Sequence, residues 1–171
     1  MSRFRPLLKN DLSPDQRRVH DVIVAGPRKA VTKPLQVWLR VPEFAERAQT
    51  LGEYCRYETS LGSRLAELAI LAVAAYWQAE FEWQAHVPLA RQAGLSQEVI
   101  DAVHNGEEPQ SSRIDEQVVW RFCYDLLNRR HVADDVWENT TGCVAVEGVV
   151  DLIGIVGYYS LIAMTINVFE L

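Results

Sequence analysis

In the stretch AEFEWQAHVPLARQAG, residues 79–94, Glu82 and His86 stand four positions apart, a spacing that places two side chains on one face of a helix. Taken alone, such a pair is a common solvated ion pair. Its neighbours change the reading. Trp77, Phe81, Trp83, Val87 and Leu89 surround it in the sequence, and Glu67 is the single charge in the apolar run from Leu65 to Ala79. A carboxylate in such a setting needs a partner or a proton. Glu67 can pair with Arg64, cap a helix end, or meet the imidazole. Two carboxylates converging on one imidazole would make an acid/base site, because each can hand a proton to the next. Tyr76, Trp77, Phe81 and Trp83 are the residues expected to line an apolar pocket beside it. Pro88 lacks an N–H for the carbonyl of Gln84, so a kink or a helix start is expected near His86.

The elements that must position these residues read as helices throughout. Ser13-Pro14-Asp15-Gln16 offers an N-cap serine, a proline at the first helical position and a capping-box glutamine, and Gly26-Pro27 closes that helix. The cap favours helix over strand for Asp21 to Ala25. Five of the seven prolines fall by position 42, so Pro27 to Pro42 reads as an irregular arm holding one short helix, suited to wrapping a neighbouring subunit. Regular periodicity starts at Glu43, with Phe44, Ala48, Leu51 and Cys55 on one expected face. Thr59, Ser60, Gly62 and Ser63 interrupt it and can cap the next helix, which must be buried on nearly every side. Gly94 and Ser96 separate the His86 helix from the one that follows. Val118, Val119, Phe122, Cys123 and Leu126 mark another amphipathic helix, and the chain from Cys143 onward is helical by the same reading. No alternating strand and no internal repeat is visible. The expected architecture is an all-α helical bundle in one domain, residues 1–171, with an N-terminal helix and arm over 1–42 and a helical core over 43–171.

Composition narrows the function classes. The chain of 171 residues is 49% hydrophobic and 23% charged, as in an ordinary globular protein. Its formal net charge of -6 is unevenly spread: Arg3, Arg5, Lys9, Arg17, Arg18, Arg28, Lys29, Lys33 and Arg40 lie near the start, and no Lys or Arg follows Arg130. The two ends are expected to attract each other. The basic segment lacks aromatic interleaving or a reader motif, so no nucleic-acid partner is expected. The opening MSRFRPLLKNDLSPDQ has no apolar secretory core, and a cytoplasmic location is expected. Cys55, Cys123 and Cys143 lie far apart without metal-ligand spacing and read as buried thiols. Leu152 to Phe169 carries no charge and approaches the roughly 20 residues that span a bilayer. It contains Ser160, Thr165 and Asn167, and no Lys or Arg flanks it. The expectation is a helix buried all round by its own core or another subunit, without a membrane partner.

The run RLAELAILAVAAYWQAEFEWQAHVPLARQAGLSQEVIDAV, Arg64 to Val103, resembles the signature region of the carboxymuconolactone decarboxylase-like family, whose all-helical fold is that of the alkylhydroperoxidase D proteins. The likeness rests on the Glu67 helix, on Glu82-Trp83 with His86 beyond, and on Ala93 to Ser96 (AGLS). SPDQRRVHDVI and PLQVWLRVP resemble the longer family members. Aligned with the peroxidase branch, Glu67 and His86 match its glutamate and histidine, while Ala79 and Glu82 stand where its two cysteines would be. Peroxide reduction by that route needs a thiolate and a resolving thiol, which Ala and Glu cannot supply. The decarboxylase branch, by resemblance, implies loss of carbon dioxide from a small carboxylated lactone without a cofactor, in a homo-oligomer, commonly a trimer or hexamer.

On that reading Glu67, Glu82 and His86 are catalytic: His86 and Glu82 handle the proton, and Glu67 orients or charges the ring. Tyr76, Trp77, Phe81 and Trp83 are the substrate-binding residues. No cofactor and no metal is expected; the group supplying a counter-charge to a substrate carboxylate is not evident in the motif region, and the basic N-terminal arm is one source. Two other readings stay open. One is a redox protein using Cys55 or Cys143, which accessible thiols would favour; the other is a non-catalytic ligand-binding oligomer.

Overall fold

Every regular element among residues 3–171, the part of the chain that the computed structural model describes, is a helix. After a single turn at Lys9–Asp11 come α1 (Pro14–Ala25), α2 (Lys33–Trp38), α3 (Pro42–Tyr57), α4 (Gly62–Tyr76), α5 (Glu80–Gln92), α6 (Gln97–Asn105), α7 (Ile114–Arg129) and α8 (Asp134–Phe169). The helix poorest in charge lies at the centre. Every residue of α4 from Leu65 to Ala74 is buried, and α5, α6, α7 and α8 all pack on it. Burying each of Leu68, Ile70 and Leu71 contributes about 1.5–3 kcal/mol, and Leu71→Ala would cost about 2–5 kcal/mol.

Local punctuation agrees with the sequence at two starts. Ser13 and Gln16 form the reciprocal capping box of α1, and the Ser96 hydroxyl accepts from the amide of Val99 at the start of α6. At α4 the expectation fails. No side chain caps it, and the Ser60 amide and hydroxyl both bind the buried carboxylate of Asp151 at 2.7 Å, joined by the Tyr54 hydroxyl. Tertiary demand from α8 takes the serine away from its local role.

The arm before Pro42 holds the one short helix expected of it, α2, and turns that helix inward. Leu35, Val37, Trp38 and Leu39 are buried in this chain's own core, and the Trp38 indole donates to Thr165 at 2.8 Å. The arm therefore packs on α3 and α8 of its own chain. On α3 the buried face is Ala45, Ala48, Gly52 and Cys55, whereas Phe44 and Leu51 are exposed at its rim. The small residues face inward because α8 lies close. Arg3 pairs with Glu170 at 3.3 Å, so the two ends do meet.

The last helix runs from Asp134 to Phe169 and is broken at Ala145, where φ is 59°. Part of it is long and apolar enough to cross a bilayer, yet 61% of that stretch is buried inside the protein. Burial is one-sided. Ile155, Tyr158, Tyr159 and Ile162 face the core, while Val146, Val150, Ile153, Met164 and Val168 are exposed, so the helix is not covered all round within one chain.

Candidate active site

The reversal between α4 and α5 brings Glu67 and His86 together. The Gln78 amide bonds the Ala75 carbonyl and the Ala79 amide bonds the Ala74 carbonyl, the paired closure of a Schellman turn. Gln78 occupies its left-handed position, with φ 51°, where glycine is usual. Asn167 of α8 donates to the carbonyl of Trp77 at 2.8 Å and ties the turn to the last helix. From Glu80 onward α5 folds back along α4 and continues through Pro88 to Gln92, so no helix start falls near His86. The ring is oriented by carboxylates and not by freed carbonyls.

His86 is 2% exposed and lies between two glutamates. Its Nδ1 is hydrogen-bonded to Glu67 Oε2 at 2.7 Å, and its Nε2 lies 3.0 Å from Glu82 Oε1. The edge of the imidazole meets the Tyr159 ring, with centroids 5.3 Å apart. Arg64, the other partner open to Glu67 by sequence, is taken by Asp115 and Glu116 of α7. Glu82 sits in the first turn of α5, where the aligned amide dipoles favour a negative side chain.

These contacts fix the protonation of the group as a whole. A neutral imidazole has one N–H, so it cannot donate to two carboxylates. Either His86 is an imidazolium between two carboxylates, or one glutamate holds the proton. Both descriptions carry one net negative charge and differ only in where a proton lies. Burial alone would push His86 down, but its contacts with Glu67 and Glu82 outweigh burial and hold it above its ordinary value of 6.5. With both nitrogens engaged, the ring offers no lone pair to a metal ion.

Residues 42–111 match the family model of the carboxymuconolactone decarboxylase family. This part of the chain is carboxymuconolactone decarboxylase-like. The matched stretch runs from the start of α3 past the end of α6 and holds Glu67, Glu82 and His86. No curated protein matches the chain.

The four aromatic residues expected beside the glutamates and histidine are placed elsewhere. Tyr76 lines a cleft of about 250 Å³ with Trp120 and Tyr124. Trp77 and Phe81 line another, of about 380 Å³, near Asn167 and Glu170, and the Trp77 indole donates to Ser160 at 3.0 Å. Trp83 packs on His104, with ring centroids 4.6 Å apart. None of these clefts is lined by Glu67, Glu82 or His86. The physical reason lies in helix geometry: residues one or two positions from Glu82 leave α5 in other directions.

The aromatic residues near the buried site come from α8 instead. Tyr159 meets His86, and Tyr158 meets Tyr159 with centroids 5.4 Å apart. Burial pushes the Tyr158 hydroxyl up to about 12; Glu82 adds to the rise, while Arg28 and Arg56 oppose it. Neither tyrosine was legible as a site residue, because both lie far from the motif in sequence. Burial pushes the Cys55 thiol up to about 11 and the Cys123 thiol up to about 12, and Cys143 is exposed, contrary to the expectation of three buried thiols.

Proposed function

We propose that the protein is a cofactor-free carboxy-lyase acting on a small carboxylated lactone or a related intermediate of aromatic-compound breakdown. The observation that carries this reading is the clamp on His86, one imidazole contacting two buried carboxylates at 2.7 and 3.0 Å. The match to the carboxymuconolactone decarboxylase family over residues 42–111 supports the same class of chemistry.

In the proposed reaction the bond between the ring carbon and its carboxylate breaks, carbon dioxide leaves, and the electron pair stays on the carbon, spread over the unsaturated lactone. That carbon then takes a proton. His86 supplies it through Glu82, and Glu67 keeps the ring charged and aligned. Water restores the proton afterwards. His86 is 2% exposed and none of the clefts described above is lined by it, so substrate entry must displace side chains that cover it.

The redox alternative has less to support it. Ala79 and Glu82 stand at the positions of the peroxidase cysteines, burial pushes the Cys55 thiol up to about 11, and Cys143, though exposed, has its thiol raised by partial burial and no second thiol beside it to resolve a sulfenic acid. We propose further that the protein works as a homo-oligomer, because Val146, Val150, Ile153, Met164 and Val168 repeat along the exposed side of α8 and Gly157 leaves room between them.

The test is release of carbon dioxide and loss of ultraviolet absorbance when the purified protein meets γ-carboxymuconolactone, with Glu82→Gln and His86→Gln in parallel. Turnover that falls by about 10² or more in both variants is the expected result. Full turnover by either variant would sink the assignment of roles, and absence of turnover by the native protein would leave ligand binding as the reading.

A further inference from the structure

A substrate that departs as carbon dioxide arrives as a carboxylate, and Glu67, Glu82 and His86 together carry a net negative charge that would repel it. The opposite charge must come from elsewhere. Arg28, in the connector between α1 and α2, is half-buried. Its Nη2 donates to the Tyr158 hydroxyl at 3.2 Å, and its guanidinium lies 6.0 Å from the centre of the same ring.

Three features set this arginine apart. Its Nε is buried and has no hydrogen-bond partner. Among the described residues no carboxylate is in ion-pair contact with it, although eleven ion pairs there engage other arginines or histidines with acids. A partly desolvated cation without a counter-ion costs free energy that a bound anion would recover. Third, the place it occupies exists only because residue 52 is glycine. A Cβ on Gly52 would lie 2.1 Å from the Tyr158 hydroxyl and 2.5 Å from Arg28 Nη2.

Arg28 also lies at the outer end of a continuous row. Its partner Tyr158 touches Tyr159, and Tyr159 touches His86. Glu82, Arg28 and Arg56 all act electrostatically on both tyrosine hydroxyls. Arg56, one helical turn from Gly52 on α3, is in ion-pair contact with no acid among the described residues and adds a second positive charge on this side.

We propose that Arg28, set over Gly52 by the Tyr158 hydroxyl, is the binding group for a substrate carboxylate, and that Arg56 reinforces it. This rests on the acid/base reading of Glu82 and His86 only for what happens next. The ligand class is a small cyclic carboxylate whose charge is held at Arg28 while its ring faces the tyrosines and Glu82. A guanidinium suits that role because its planar fork matches both carboxylate oxygens.

Binding can be measured without turnover, using saturated γ-carboxy-γ-butyrolactone and the uncharged γ-butyrolactone in calorimetric titrations. The native protein should bind the carboxylate more tightly than the neutral lactone. Arg28→Gln should weaken carboxylate binding by about tenfold or more, as expected for one charge-assisted hydrogen bond, and leave the neutral lactone unchanged. Tyr158→Phe, which keeps the ring and removes the hydroxyl that sets Arg28, should weaken the carboxylate alone. Equal binding of the two probes by the native protein, or undiminished carboxylate binding by Arg28→Gln, overturns the proposal. Glu82→Gln separates this inference from the reaction reading: charge-selective binding that survives in a protein without turnover supports the Arg28 site even if the decarboxylase assignment fails.

Discussion

Replacing His86 by Gln should remove the cation between two buried carboxylates while roughly preserving side-chain volume. The native ring serves Glu67 at 2.7 Å and Glu82 at 3.0 Å, and a glutamine amide has one NH2 group to offer at the same place. One carboxylate is then left without its partner. Removing one member of a buried ion pair costs about 3–5 kcal/mol, and the surviving amide contact places the expected loss near about 3 kcal/mol. The pH dependence has a definite sign. His86 is held above its ordinary value of 6.5 in the folded protein, so its stabilising effect is complete below that value and is lost as pH rises through the folded value. The glutamine variant has no such group. Urea unfolding of both proteins at about pH 6 and about pH 8 should therefore show the larger gap at the lower pH. A gap below about 1 kcal/mol at the lower pH, or the same gap at both, would refute the clamp on His86.

Gly52→Ala should destabilise the protein by about 1–3 kcal/mol despite the roughly 1 kcal/mol that alanine adds to a helix, because the Tyr158 ring has no free space to retreat into. An unchanged or raised urea midpoint would contradict the close packing of α3 on α8. In a thiol titration, Cys143 should react in the folded protein while Cys55 and Cys123 react only on unfolding, and a second fast thiol would revive the redox reading. Light scattering should give a mass above that of one 19.4 kDa chain, with Ile153→Glu shifting it toward the monomer. A native monomer would rule out the α8 face as a subunit contact.

Much of this protein was legible because its signals are local. The Ser13 capping box, the Ser96 cap and the four-residue step from Glu82 to His86 depend on neighbours within one helical turn. The burial of α4 followed from the absence of charge around Glu67. Even the attraction of the two ends, now seen as Arg3 with Glu170, came from charge distribution alone. The family likeness rested on the same stretch of chain and is matched over residues 42–111.

Other choices were made by packing. Arg64 and His86 were both open to Glu67, and α7 decided between them by supplying Asp115 and Glu116 to the arginine. Ser60 left a capping role for Asp151, far along the chain on α8. Ala45 and Gly52 turned inward instead of Phe44 and Leu51, because only small residues let α8 approach. Aromatic residues near the motif spread to separate clefts, and Tyr158 and Tyr159 took the place beside His86. The sequence by itself determined the helices, the caps at Ser13 and Ser96, and the placing of Glu82 and His86 on one face, since those follow from spacing within one or two turns. Only the tertiary structure decided which carboxylate meets which cation, and that Arg28 meets Tyr158, because such pairings depend on how distant helices close against each other.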